Sequence, residues 1–247
     1  MVAALRADVR MNAAAGRRGS TGEPPRGGRL GGIEEPATLI TDWLLAACAG
    51  TWAVWLTSNA TTRGASGVPT LIWGIAFAAT AVGAFAGGVV HGFQRRMGVR
   101  WTRALWRATL HLVALANAAF LAATVLAFAD STVRAIGLGV TGFKLVVVSG
   151  LLARDPRFAV VLADSLVTLA AAFALQGAAW WSHGAASVPW VFGGLGLSVV
   201  AAAIQALRLA PHEHFNHNDL YHVVQVGALW LLYRGGLLFV RDRIPTP

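Results

Sequence analysis

Histidine is the residue with the widest chemistry in this chain, and four of its seven histidines crowd into one short stretch. His212, His214, His217 and His222 share that stretch with Glu213, Asn216, Asn218 and Asp219. If a helix runs through its second half, Asn218, His222 and Gln225 stand at i, i+4 and i+7 on one face, with Asp219 three residues before His222. One turn then presents a ring nitrogen and a carboxylate together. His91 and His111 lie far away in sequence and supply imidazoles from other segments. Imidazoles from separate helices, one open coordination position and a carboxylate behind them are what a catalytic zinc uses, and such a zinc lowers the pKa of its water to about 7. On this reading His91, His111, His217 and His222 are the candidate metal ligands, Asp219 is the orienter or general base, and Asn218 is its catalytic neighbour. Two of the same imidazoles facing each other across helices would instead suit the axial positions of a haem.

The elements that must carry these residues follow from composition. The chain has 247 residues, is 56% hydrophobic and only 13% charged, and has a mean hydropathy of +0.59. Soluble domains average about 25% charged, and disordered chains need few apolar residues, so both classes are excluded. A single cysteine, Cys48, excludes a disulfide-stapled module. A multi-pass membrane protein remains, and the expected location is the cell membrane, as in a bacterial inner membrane.

Apolar runs long enough for about 20-residue spans recur at 39–59, 70–92, 104–128, 132–153, 158–180, 188–209 and 219–240. None alternates with the period of a barrel strand. The expected fold is therefore an all-α integral membrane bundle of seven transmembrane helices over residues 37–243. Residues 1–36 read as a disordered, basic cytoplasmic tail, and 244–247 as a short C-terminal tail. Thirteen Lys and Arg fall in the tail and the even-numbered loops (2/3, 4/5, 6/7), against four (Arg63, Arg134, Arg241, Arg243) on the other side. That bias puts the N-terminus in the cytoplasm and the C-terminus outside. It also explains the net charge of +9 through orientation and anionic lipid, so no nucleic-acid partner is expected.

With this topology the ionisable groups gather in the cytoplasmic half. An ionisable side chain costs about 2.5–3.5 kcal/mol at the bilayer centre, so each needs a partner or a task. Asp42, His91, His111, Lys144, Asp164 and His222 all fall there, with Gln205 and Gln225 in the same layer. Each has a plain structural account too. His91 ends a helix beside Arg95 and Arg96, His111 can join a polar seam with Arg107 and Asn117, and His217 can simply precede a helix capped by Asn216 or Asn218. Lys144, the sole lysine, pairs most economically with Asp164 as an intramembrane ion pair, or forms part of a proton path. A retinal Schiff base is not expected, because the opsins it would resemble carry that lysine on the last span.

The run from Asn218 through His222 to Tyr233 resembles the last span of the CREST superfamily, the seven-helix group of alkaline ceramidases, adiponectin and progestin receptors and haemolysin III-like proteins. The resemblance implies a zinc near the cytoplasmic face, with His91 matching the second-span ligand and His222 the later histidine of the seventh. Three positions depart from that pattern: Asn218 replaces the earlier histidine, Gly87 replaces a serine four residues before His91, and no aspartate opens the third span. A missing ligand would come from His111, His217 or Asp219. The functional expectation is a metal-dependent hydrolase of a lipid amide or ester, with membrane lipids and a lipid-like substrate as partners. A haem-based electron carrier and a transporter or receptor without chemistry are the alternatives.

Overall fold

The computed structural model describes residues 33–242, apart from Glu213 and Val240. Most of the proposed tail and the last five residues lie outside this range. Among the described residues the chain is all-helical: α1 (Pro36–Thr61), α2 (Val68–Phe128), α3 (Ser131–Arg154), α4 (Phe158–His183), α5 (Val188–Leu207) and α6 (His217–Gly236), with one 3-10 turn at Gly64–Gly67. Five of the six, α1 to α5, are long and apolar enough to cross a membrane.

Local chemistry sets the helix ends. Proline occupies the first turn of α1, α2 and α5, where its missing N–H costs nothing. The Asp130 carboxylate accepts the Val133 amide at the start of α3, 2.9 Å away. Gly184 ends α4 in the left-handed region with φ 63°. Asn216 and Asp219 form a reciprocal capping box on α6.

Helix α2 has 61 residues, about three spans' worth of rise at 1.5 Å each. Gly98 interrupts it with φ 73° and ψ 160°, a conformation open mainly to glycine. The two arms fold back on each other: a Cβ on Gly83, fifteen residues before the break, would lie 3.4 Å from Cβ of Leu112, fourteen after it. The Thr102 hydroxyl donates to the Gln94 carbonyl across the break at 3.1 Å.

The first arm of α2 also runs antiparallel to α1, with Gly88 against Trp43 and Gly74 against Thr57. At the end where α2 begins, Trp73 is fully buried, donates its indole N–H to the Leu232 carbonyl at 3.0 Å, and meets Phe120 and Phe239 edge-on at 4.7 and 4.8 Å. These rings anchor α2 to α6 and form the largest core. The outward faces are apolar as well. Phe143 and Val146 on α3 are each 71% exposed, an arrangement that water penalises and lipid does not.

Candidate functional site

At the opposite end of the bundle, where α1 and α6 start and the first arm of α2 finishes, the polar residues meet. Helices α1 and α6 run side by side in the same direction, so the first turns of both face each other. The Thr38 hydroxyl donates to Oδ1 of Asp219 at 2.7 Å, and the Asn216 amide donates to Oδ2 at 2.7 Å. One turn on, Thr41 Oγ1 lies 3.1 Å from Nδ1 of His222, and Asp42 Oδ1 lies 3.1 Å from Nε2 of the same ring. Asp42, Asp219 and His222 are all buried. Oδ2 of Asp42 has no hydrogen-bond partner among the described residues and faces Gly87, whose added Cβ would stand 3.6 Å away.

His91 closes the layer from α2. Its Nδ1 lies 3.0 Å from Oε2 of Glu35, the residue that caps α1. The hydrogen bond from His91, reinforced by its charge and opposed by partial burial, holds the Glu35 carboxyl below its ordinary pKa. Neighbouring Glu34 accepts the Arg95 amide at 2.7 Å and pairs with Nε of Arg95 at 3.2 Å. The start of α1 is thereby sewn to the end of the α2 arm. A pocket of about 830 Å³ opens beside this seam, with Glu35, His91, Val90, Val99 and Trp106 on its walls and Arg95 and Arg103 among its cations. The described structure gives Nε2 of His91 no hydrogen bond.

The structure thus brings together His91, His222 and Asp219, and adds Glu35, Thr38, Thr41 and Asp42. It does not bring His111 with them. Nδ1 of His111 is 2.8 Å from the carbonyl of Arg107 one turn back on its own helix, the usual resting place of a polar group facing outward. His217 is half-buried at the start of α6, where its charge contributes to the lowered pKa of Glu35. The Asn218 side chain turns to α5 and accepts from Gln205 at 2.9 Å. Asp219 has both oxygens committed to capping and to Thr38, so it holds α6 in place and has no lone oxygen facing a cavity.

Among the described residues no group of three or more His, Cys, Asp or Glu side chains is arranged to hold a metal ion. Both ring nitrogens of His222 are engaged, one by Thr41 and the other by Asp42. Helix α3 meets α4 through the second polar group: Lys144 pairs with Asp164 and donates to Thr168 at 3.0 Å, while Asn117 donates to Asp164 at 2.8 Å. Its three helices give it complete internal partners.

The sequence analysis passes over Glu35, which falls in the stretch 1–36 read as a tail for its turn residues and charge and its lack of an apolar period. The signal was available, since a glutamate directly before a proline that opens an apolar run is a helix start. Thr38 and Thr41 carried none, threonine being common in spans.

Compared with known proteins, the chain matches the model of a Family of unknown function (DUF6962) over residues 37–239, and it belongs to that family. No curated protein and no solved structure matches it.

Proposed function

We propose that this protein is a membrane-embedded hydrolase acting on an amide or ester of a lipid-like substrate, with the Glu35–His91 pair as its general base. The observation that carries the reading is an imidazole backed by a carboxylate at 3.0 Å, with its other nitrogen uncommitted, on the wall of a pocket large enough for a small ligand. With the Nδ1 proton directed at Glu35, the Nε2 lone pair is free to take a proton from water as it attacks a carbonyl, and the imidazolium then gives that proton to the departing alcohol oxygen or amine nitrogen as its bond to the carbonyl carbon breaks, leaving the fatty acid and a neutral base. Val90, Val99 and Trp106 suit an acyl chain, and Arg95 and Arg103 suit a polar or anionic headgroup.

The proposal includes a seven-span topology, with Gly98 dividing α2 into two crossings and α6 supplying the last. It places the N-terminus and the His/Asp layer on the cytoplasmic side of a cell membrane. The arginines of the 2/3, 4/5 and 6/7 loops support that orientation. Kinship with the CREST superfamily is also proposed, supported by His91 and His222 meeting in one layer. Zinc would have to recruit Nε2 of His91 and displace Asp42 from His222, so no step is assigned to a metal.

The test is hydrolysis of a panel of long-chain acyl esters and N-acyl amides by the purified full chain, followed by mass spectrometry, with metal content measured on the same preparation. His91→Asn and Glu35→Gln should lower turnover by about 100-fold or more if the pair acts as base. An active protein indifferent to both changes would remove the assignment. A second reading, proton-coupled transport, draws on the unpartnered Oδ2 of Asp42. Proton uptake into proteoliposomes that is lost in Asp42→Asn, without any hydrolysis, would favour it.

A further inference from the structure

The far end of the bundle holds a second pocket, of about 520 Å³, built from the end of α1, the last turns of α6 and the segment after it. Arg63, Arg234 and Arg241 line it together with Asn59, Trp230 and Tyr233, and among the described residues no carboxylate does. Among the described residues none of the three arginines has an acidic partner. The acid nearest in sequence, Asp242, spends its two oxygens on the amides of Ala186 and Ser187, at 2.8 and 2.7 Å.

Three guanidinium groups around one pocket repel each other, and an anion is the natural relief. Arg234 is also held in place: its guanidinium carbon sits 4.7 Å from the Trp190 ring centre and 5.8 Å from that of Trp230. Stacking of this kind fixes the plane of the fork, leaving its N–H edges for a bidentate acceptor. Asn59 lies twenty-four positions beyond Glu35 along α1, roughly 36 Å at 1.5 Å per residue, so this pocket is separate from the His/Asp layer.

We propose that the pocket binds a phosphate group, presented by an anionic phospholipid headgroup or by a free phosphorylated solute. Arginine forks match phosphate oxygens in pairs. Trp230 and Tyr233 have the amphipathic character of residues that settle at headgroup level, and Leu237 and Leu238 border the pocket where the first methylenes of an acyl chain would lie.

The full chain in phosphatidylcholine nanodiscs provides the test. Its thermal midpoint and the fluorescence of its tryptophans are followed as phosphatidylglycerol is raised, and separately as inorganic phosphate is added. A saturable response to phosphatidylglycerol, with half-saturation shifted about fivefold by each of Arg63→Gln and Arg241→Gln, supports the lipid source. The same shifts seen with inorganic phosphate alone support the soluble source. Both substituted residues are exposed, so the variants are expected to fold, and Arg100→Gln at the other end should leave the response unchanged. Equal responses in wild type and both variants, or no response to either probe, would overturn the proposal.

Discussion

Oδ1 of Asp42 and Nε2 of His222 lie 3.1 Å apart, so the first described helix and the last are joined through a buried carboxylate and a buried imidazole. Thr41, the residue before Asp42, holds the other ring nitrogen at 3.1 Å. A ring gripped on both sides by consecutive residues of one helix has little rotational freedom, and α1 and α6 are locked in register.

That pairing is expected to be strongly coupled. Truncating either member alone leaves the other as a buried polar group without its partner, at a cost of about 1–3 kcal/mol or more. Asp42→Ala and His222→Ala combined should cost less than the sum of the two single changes, with a coupling of about 1–3 kcal/mol. Unfolding of all four proteins in one detergent measures this, and strict additivity would mean that the contact contributes no binding between the helices.

Glu35 makes stability depend on pH in a direction fixed by its lowered pKa. Its hydrogen bond from His91 favours the charged carboxylate in the folded protein, so the carboxyl gives up its proton more readily there than in the unfolded chain. The stabilisation is fully present above the ordinary value of 4.5 and is lost as pH falls through the lower folded value. The stability gap between wild type and Glu35→Gln should therefore be widest near neutrality and narrow below about pH 4.5. His91 and His217 face the same carboxylate, so the comparison is made between the two proteins at each pH and not on either curve alone. A gap that widens on acidification would reverse the assignment.

How far the sequence reveals this architecture varies by residue. The apolar runs of α1, α3, α4 and α5 are plain because hydropathy alone sets them. Gly98 lies in the connection expected between the runs 70–92 and 104–128, but nothing in its polar, arginine-rich surroundings says that a single glycine of positive φ makes the turn while both helices run up to it. His91 and His222 are legible as residues in need of partners, because ionisable groups in apolar surroundings demand them, though spacing names neither Glu35 for the first nor Thr41 for the second. His111 misled for the same reason, since spacing along a helix does not say whether a side chain faces the bundle or finds its own backbone carbonyl. Asp42 was visible at the end of a span, but its partner could be known only from the way α1 and α6 lie parallel.

Two glycines should respond oppositely to a small side chain. A Cβ at Gly87 meets Asp42 and Thr109 at ordinary contact distances of 3.6–3.8 Å, and Gly87→Ser places a hydroxyl beside the unpartnered Oδ2 of Asp42. A neutral or stabilising change of about 1 kcal/mol is expected. A Cβ at Gly236 would come within 2.3 Å of the buried Trp73 ring, which cannot move without breaking its bond to Leu232. Gly236→Ala should destabilise by about 1–3 kcal/mol. Thermal melts of the two variants side by side decide the matter, and a Gly87→Ser protein as damaged as Gly236→Ala would show that the space beside Asp42 is already filled.

Helix α4 buries one narrow stripe, Val161, Asp164, Thr168, Ala172, Gln176 and Ala179, and along it polarity is matched only at one end. Asp164 and Thr168 are satisfied by Lys144 and Asn117, whereas Gln176 is fully buried with neither amide atom bonded among the described residues. An amide left without partners in an apolar core costs about 1–3 kcal/mol, and removing the whole polar group recovers that cost if the shape is kept. Leucine has nearly the right length and no polar atoms, so Gln176→Leu is expected to raise stability by about that amount without loss of expression. Detergent unfolding measures the change. A destabilised Gln176→Leu protein would mean that the amide holds a partner inside the bundle, and hydrogen exchange along α4 would then be slower in wild type than in the variant.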